Sequence, residues 1–421
     1  MLLDSFVMTF RDHLTQAPPK GGRHAVLALV LGTCLLLAVL IIVLTFLHRK
    51  PFLLGFAGPL SGEYADLGVA GRNGVRLAVE TINDAGGIMG RKIELAVEDD
   101  LSTQAGALQA VKRLISGGAT AIVGHMTSSQ SLAALPFCDS HGVPLISPTA
   151  SSPLLSGRKD LFFRVQPATD LAARALADHM STKHGLKTFC LVWDSSNPAF
   201  TRPYSQDFSE GVKELGGTIL ESLPLTAPVQ SHARKIARRI EALKPDGVLI
   251  LASARDTATT VQAIRETSAQ SLLASSEWAR THELFVYGGD HVEGLHVVQL
   301  NSSHLAPQAY QAFAQRYQNR FGRTPSYASA QGYNAVLVYA SAMEKALGRH
   351  GDLPRTLAGV RDCPGVYGPM TLDEYGDLTR EVFLSQVQDS SFVILESLGL
   401  PEQDPATSTG DSSRPSSRAD D

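Results

Sequence analysis

The chain has 421 residues, which is enough for two domains of ordinary size, each with its own core. Hydrophobic residues make up 44% of the sequence and charged residues 19%, and the formal net charge is -4. This balance excludes a wholly disordered chain and gives no basis for binding nucleic acid. We therefore expect a globular protein without a polyanionic partner.

Residues 25–47 form an uninterrupted run of uncharged, mostly apolar residues. As a helix this run would be about 34 Å long, which is enough to cross a bilayer. A cleaved signal peptide is the alternative, but the run exceeds the usual apolar region of such peptides and no small-residue cleavage site follows it. We interpret it as a retained, single-pass signal-anchor helix. Residues 1–24 would then be cytoplasmic, and the rest of the chain would lie on the periplasmic side.

From Phe52 onward, short apolar runs alternate with stretches of helical apolar spacing, which predicts an α/β fold with parallel sheets. One series of such runs ends near Phe162, and a second series follows it. Two sheets in one chain predict two lobes with a cleft between them. After Leu305 the pattern is mostly helical, and residues 397–421 are so rich in Pro, Ser, Thr and Asp that we expect a disordered tail.

Several stretches repeat, in order, the motifs of a known family. They include GPLSGEYADLG, NGVRLAVETINDAGGIMGRKIEL, AIVGHMTSSQSLA, VPLISPTASSPLL, FGRTPSYASAQGYNAV and GPMTLDEYGD. In these stretches the chain resembles the periplasmic leucine/isoleucine/valine-binding proteins, the type I solute-binding proteins of branched-chain amino-acid ABC transporters. The resemblance implies two Rossmann-like lobes joined by a three-strand hinge. Lobe 1 would comprise residues 52–166 and 299–365, and lobe 2 would comprise 167–298 and 366–396.

The first candidate site lies between the strand that ends at Gly124 and the next helix. Ligands of open α/β sheets bind at the carboxyl ends of strands, and a helix start offers free N–H groups to an anion. The residues at this position are Met126, Thr127, Ser128 and Ser129. The resemblance implies that Ser128 contacts the carboxylate of the ligand. Ser128 and Ser129 could instead be simple helix caps, and both roles are compatible.

The resemblance implies two further polar contacts. In the turn at Thr149, Ala150 and Ser151, the hydroxyl of Ser151 matches a second contact to the ligand carboxylate, although such residues are also common in loops. In the segment LLASSEWA, Glu277 falls where the family places an acid that faces the ligand ammonium. A solvated surface position is the alternative for Glu277.

Apolar residues complete the predicted site. Phe200 matches an aromatic residue that shields the ligand, and Tyr204 competes for that role. Leu67 and Tyr64 could line the wall of lobe 1. Ser253 stands where an aromatic residue often packs, and its small side chain would leave room for a different ligand.

The sequence contains none of the common catalytic motifs, such as a GxSxG elbow, an HExxH pair or a P-loop. We therefore expect no enzyme activity and no cofactor. The spacings between His282, His291, His296 and His304 fit no metal-ligand pattern, so we expect no metal site. The cysteines form no CxxC pair.

Two functional hypotheses follow. The first is a solute-binding protein that captures an amino acid, branched-chain or similar, and delivers it to an ABC permease. The second is a membrane-anchored sensor for an amide, urea or aromatic acid that signals through a partner protein. An N-terminal anchor favours the second hypothesis somewhat, because classical shuttling binding proteins diffuse freely.

Overall fold

The computed structural model describes residues 27–38, 50–348 and 351–399. The chain divides into two units, one formed by Met1–Pro51 with Gly90–Lys92 and one by Phe52–Met89 with Ile93–Asp421. In the first unit, residues 27–38 are helical and their apolar side chains are exposed. The rest of the predicted span 25–47 lies outside the described residues. Within the described ranges, no helix combines the length and apolarity that crossing a membrane requires.

The first lobe of the second unit is built on a five-stranded sheet in which every strand is parallel to its neighbours. The strands lie in the order β2-β1-β3-β4-β5. Their bounds are β1 Phe52–Gly58, β2 Ile93–Asp99, β3 Ala121–Gly124, β4 Leu145–Ser147 and β5 Phe162–Arg164. The helices that connect the first strands are α1 Ala65–Asp84, α2 Gln104–Ser116 and α3 Ser128–Ser140.

The second lobe is built on a seven-stranded sheet in the order β12-β11-β10-β9-β8-β6-β7. The strands are β6 Thr188–Asp194, β7 Thr218–Leu225, β8 Gly247–Leu251, β9 Leu272–Ser275, β10 His296–Gln299, β11 Val382–Gln388 and β12 Ser391–Gly399. Strands β6 to β10 are parallel, whereas β11 and β12 form an antiparallel hairpin at one edge. The helices of this lobe are α4 Asp170–Asp178, α5 Pro198–Glu214, α6 Val229–Leu243, α7 Ala254–Arg265 and α8 Glu283–Gly288.

Three more helices precede the hairpin, namely α9 Pro307–Phe321, α10 Tyr327–Gly348 and α11 Leu353–Ala358. Helix α10 packs on α1 of the first lobe so closely that a Cβ atom on Gly74 would lie 1.9 Å from the carbonyl oxygen of Ser329. Only glycine fits such an approach of two backbones. The chain therefore returns to the first lobe after β10 and to the second lobe for the hairpin.

The parallel α/β architecture predicted from the alternating apolar runs is confirmed. Strands β3, β4 and β8 are buried along their whole length, because helices cover both faces of each sheet. The expectation of a mostly helical chain after Leu305 is wrong for the hairpin, and β12 extends to Gly399, three residues into the predicted tail. Residues 400–421 lie outside the described residues. All four cysteines are unpaired.

Candidate ligand-binding site

The loops at the carboxyl ends of strands from both sheets surround a small cavity, and the free space in and around it, part of it open to solvent, is about 430 Å³. Eight of the residues predicted from the sequence line it: Met126, Thr127, Ser128, Thr149, Ser151, Phe200, Tyr204 and Glu277. The structure thus brings residues of both lobes to one cavity.

Helix α3 begins at this cavity. Thr127 precedes it in an extended conformation, and Ser128 is its first residue. The Thr127 hydroxyl donates to the side chain of Gln130. The Ser128 oxygen accepts a hydrogen bond from the N–H of Ser152 at 3.2 Å, so its own proton remains available for a ligand. The helix start adds partial positive charge, which suits a carboxylate.

The turn after β4 supplies two more hydroxyl groups. The Thr149 hydroxyl donates to the carbonyl oxygen of Met126 and fixes the turn against the loop before α3. The carbonyl oxygen of Ser151 accepts a hydrogen bond from the Thr169 hydroxyl at 3.1 Å. Among the described residues the Ser151 hydroxyl itself has no hydrogen-bond partner, so it is free to bind a ligand.

Glu277 is buried and begins a short 3-10 turn after β9, so the alternative of a solvated surface position is wrong. Its Oε1 accepts a hydrogen bond from Arg280 Nη2 at 2.8 Å. Its Oε2 accepts from Gln166 Nε2 at 2.8 Å and from the N–H of Leu300 at 2.7 Å. Burial raises the pKa of Glu277, against the opposing charge of Arg280 and the hydrogen bonds from Leu300 and Gln166. Although burial alone lowers the pKa of Arg280, the Glu277 carboxylate raises it. Arg280 is therefore charged and compensates the acid.

The hydrogen bonds of Glu277 continue to the segments where the chain passes between the sheets. Gln166 follows β5, and its Oε1 accepts from Asn301 Nδ2 at 2.7 Å and from Gln331 Nε2 at 2.8 Å. Asn301 follows β10, where the chain leaves the second sheet. A shift of Glu277 would therefore alter the hydrogen bonds of Gln166 and Asn301, where the chain crosses between the sheets.

Aromatic residues of the second lobe form one wall of the cavity. The ring of Phe200 meets that of Trp278 nearly edge-on, with centroids 5.6 Å apart, and lies 5.7 Å from that of Tyr204. Phe200 and Tyr204 both line the cavity. The hydroxyls of Tyr204 and Ser276 are buried without a partner among the described residues, and a ligand could satisfy them.

Several lining residues were missed in the sequence. Ser276 and Trp278 flank Glu277 in the same segment, and this adjacency was an available signal. Asn197 and Gln166 carried no such signal, because only the arrangement of the strands brings them to the cavity.

Five predicted residues do not line the cavity, because they contact other protein groups or lie in the core. Tyr64 is one of them, and its hydroxyl donates to Asp194. The Ser129 N–H donates to Asn197 Oδ1 at 3.1 Å, which joins the two lobes. Ser253 caps α7 by accepting from the N–H of Asp256 at 3.2 Å. The Ala150 N–H donates to the hydroxyl of Ser147. Leu67, near the start of α1, is buried in the core.

Three carboxylates meet at the rim of the cleft: Glu63 of the first lobe and Asp194 and Asp256 of the second. We call them the rim acids. One oxygen of each lies within 4.8 Å of the others. The Tyr64 hydroxyl also donates across the cleft to Asp194 at 2.7 Å. Partial burial and the two aspartates raise the pKa of Glu63 to about 7, against the opposing charge of Arg255. The lobes thus stand closed with a proton-binding group between them.

A family model described as periplasmic binding protein matches residues 51–391. The chain belongs to the periplasmic binding protein family. The resemblance seen in the sequence motifs is thereby confirmed, and this periplasmic binding protein is similar to the Leu/Ile/Val-binding protein BraC3 of Rhizobium johnstonii. The two are 25% identical over 358 residues, which cover 83% of this chain and 95% of the relative.

Two solved structures share the fold of this periplasmic binding protein. The leucine binding protein LivK of Thermotoga maritima has a TM-score of 0.75 at 23% identity, covering 83% of this chain and 99% of its own. A solute binding protein of an R. palustris ABC transporter, in complex with benzoate, has a TM-score of 0.77 at 21% identity, covering 85% and 99%. At these identities the likeness establishes the fold alone.

Proposed function

We propose that this periplasmic binding protein captures an amino acid, branched-chain or similar, between its lobes and delivers it to an ABC transporter. One observation carries the proposal: a single cavity joins the hydroxyl-lined start of α3 in one lobe to the Glu277 carboxylate in the other. The ligand carboxylate would lie at Ser128 and Ser151, and its ammonium would lie at Glu277. The protein would act by binding and release rather than by catalysis.

The remaining wall fits an apolar side chain. Val298, Leu300 and Phe200 line the cavity and offer the ligand no charge. Burial of a branched aliphatic side chain against such a wall contributes about 1.5 to 3 kcal/mol. The Rhizobium relative is named as a Leu/Ile/Val-binding protein, which supports the same ligand class.

The location and the transporter partner belong to the same proposal. The family supports an extracytoplasmic position for the lobes. We infer that residues 25–47 anchor the protein in the inner membrane, since this run is uncharged throughout. An anchored protein would stay beside its permease instead of diffusing away.

Titration calorimetry of the purified full-length chain against the twenty amino acids tests the proposal. Ser128→Ala should weaken binding of the best ligand by about 1 to 3 kcal/mol, because a buried carboxylate loses a hydrogen bond. Ser140→Ala is the matched control, since Ser140 lies exposed at the far end of the same helix. Absence of heat with every amino acid from a folded protein would refute the proposal. So would an unchanged affinity in Ser128→Ala.

A second candidate is a membrane-anchored sensor for an amide, urea or aromatic acid that signals through a partner protein. It is favoured by the ion pair of Glu277 with Arg280, which leaves the described wall of the cavity without an uncompensated charge. The wall of Phe200, Tyr204 and Trp278 would also suit a ring. Calorimetry with benzoate and acetamide, together with partners recovered from solubilised membranes, separates the two candidates. Permease subunits support transport, whereas a kinase or a chemoreceptor supports sensing.

A further inference from the structure

Three histidines from separate parts of the sequence meet in the second lobe. His179 begins a π-helical turn, His179–Lys183, that continues α4, and His184 follows it directly. His296 is the first residue of β10. One ring nitrogen of each histidine lies within 4.8 Å of the others. The cluster lies at the amino end of β10, whereas the ligand cavity begins farther along, at Val298.

The separation of two of these nitrogens fits a shared metal ion. His179 Nε2 and His184 Nε2 are 3.2 Å apart. Two imidazoles on a tetrahedral Zn²⁺, with Zn–N distances of about 2.0 to 2.1 Å, hold their nitrogens about 3.3 Å apart. A simple hydrogen bond also fits this one contact. Such a hydrogen bond does not account for the nearby ring of His296 or for the Glu396 carboxylate, which contacts His179.

Glu396 supplies the outer partner that metal-bound histidines have. Its carboxylate, on β12, contacts Nδ1 of His179, the ring nitrogen that points away from His184. A carboxylate in this position holds the proton on Nδ1 and leaves the lone pair of Nε2 for a metal. His179 is thus oriented as a ligand.

His296 adds an independent observation. Its side chain is buried, with 5% of the residue exposed, and its Nδ1 has no hydrogen-bond partner among the described residues. A buried polar atom without a partner costs free energy, and a bound ion beside the ring would offset that cost.

We propose that His179, His184 and His296 bind a divalent transition-metal ion of the zinc class, with Glu396 orienting His179. Three imidazole ligands suit Zn²⁺, Cu²⁺ or Ni²⁺, and they leave one coordination position for water. The ion ties the end of α4 to β10 and, through Glu396, to the edge hairpin, so it stabilises the second lobe.

The test is titration of the purified full-length protein with ZnCl2 after treatment with EDTA, measured by competition with a chromogenic chelator. His184→Ala should lose one zinc equivalent, and its exposed position leaves the core undisturbed. Glu396→Gln should weaken that site about 10- to 100-fold. His291→Ala is the matched control, because His291 is an exposed histidine of the same lobe outside the cluster.

The outcomes are distinct. Zinc binding elsewhere in the chain persists in every variant, so the readout is the difference between His184→Ala and His291→Ala. Equal stoichiometry and affinity in these two variants would overturn the proposal, and so would a wild-type protein that takes up no zinc. Unchanged amino-acid affinity in His184→Ala separates this result from the proposed function. Thermal unfolding in EDTA, equal for both variants, shows that the fold is intact.

Discussion

The Glu277 carboxylate has two possible roles: it neutralises the charge of Arg280, and it lines the cavity, where it could bind the ligand. The Glu277→Gln substitution is the first step in separating them. The side chains of Glu277 and Arg280 are 4% and 14% exposed, and their charged atoms are 2.8 Å apart. Removal of one partner of a buried ion pair costs about 3 to 5 kcal/mol, because the other charge stays buried and unpaired. Since a domain is stable by only about 5 to 15 kcal/mol, this is a large share of its free energy of unfolding.

The double variant Glu277→Gln/Arg280→Met removes both charges, so we expect it to be more stable than Glu277→Gln alone. If the Glu277 carboxylate also binds the ligand ammonium, the double variant regains stability but not affinity. Urea unfolding measures the first quantity, and titration calorimetry with the best amino acid measures the second. A double variant that binds this amino acid as tightly as the wild-type protein would refute the assignment of Glu277 to the ammonium.

Two further predictions concern closure and packing. Because the raised pKa of Glu63 belongs to the closed lobes, closing takes up a proton between pH 4.5 and about 7. Ligand affinity should therefore fall as the pH rises through this window. Calorimetry at several pH values should show that the affinity of Glu63→Gln depends less on pH than that of the wild-type protein. An equal pH dependence of affinity in both proteins would contradict this reasoning. Gly74→Ala should lower the free energy of unfolding by about 1 to 3 kcal/mol or more, because its Cβ meets the Ser329 carbonyl at 1.9 Å. Gly359→Ala is the control, since its nearest contact is 3.5 Å; equal urea midpoints for these two variants would exclude a close approach of α1 and α10.

Local patterns in the sequence predicted the elements and part of the cavity. Apolar runs and helical spacing follow from backbone geometry alone, so they identified the parallel α/β lobes. The family motifs placed Ser128 and Glu277, which do line one cavity. The edge hairpin of β11 and β12 was not foreseen, because its pairing joins it to β10 across the three intervening helices.

The exact partners of the site were decided by the tertiary structure. Arg280 is only three residues from Glu277, yet the sequence did not reveal that both are buried as a pair. Gln166 and Asn301 bond across 135 positions, at two crossings between the sheets.

The histidine cluster shows the same limit. The sequence drew attention to His282, His291, His296 and His304, but only His296 belongs to the cluster that the fold assembles. Its partners His179 and His184 lie on a helix end that packs near the start of β10. Periodicity is a property of neighbouring residues, so the sequence by itself determined the parallel α/β lobes, and its family motifs placed residues at the two ends of the cavity. Contacts between distant side chains depend on strand order and helix packing, which no local pattern encodes, and they arose only when the lobes were assembled.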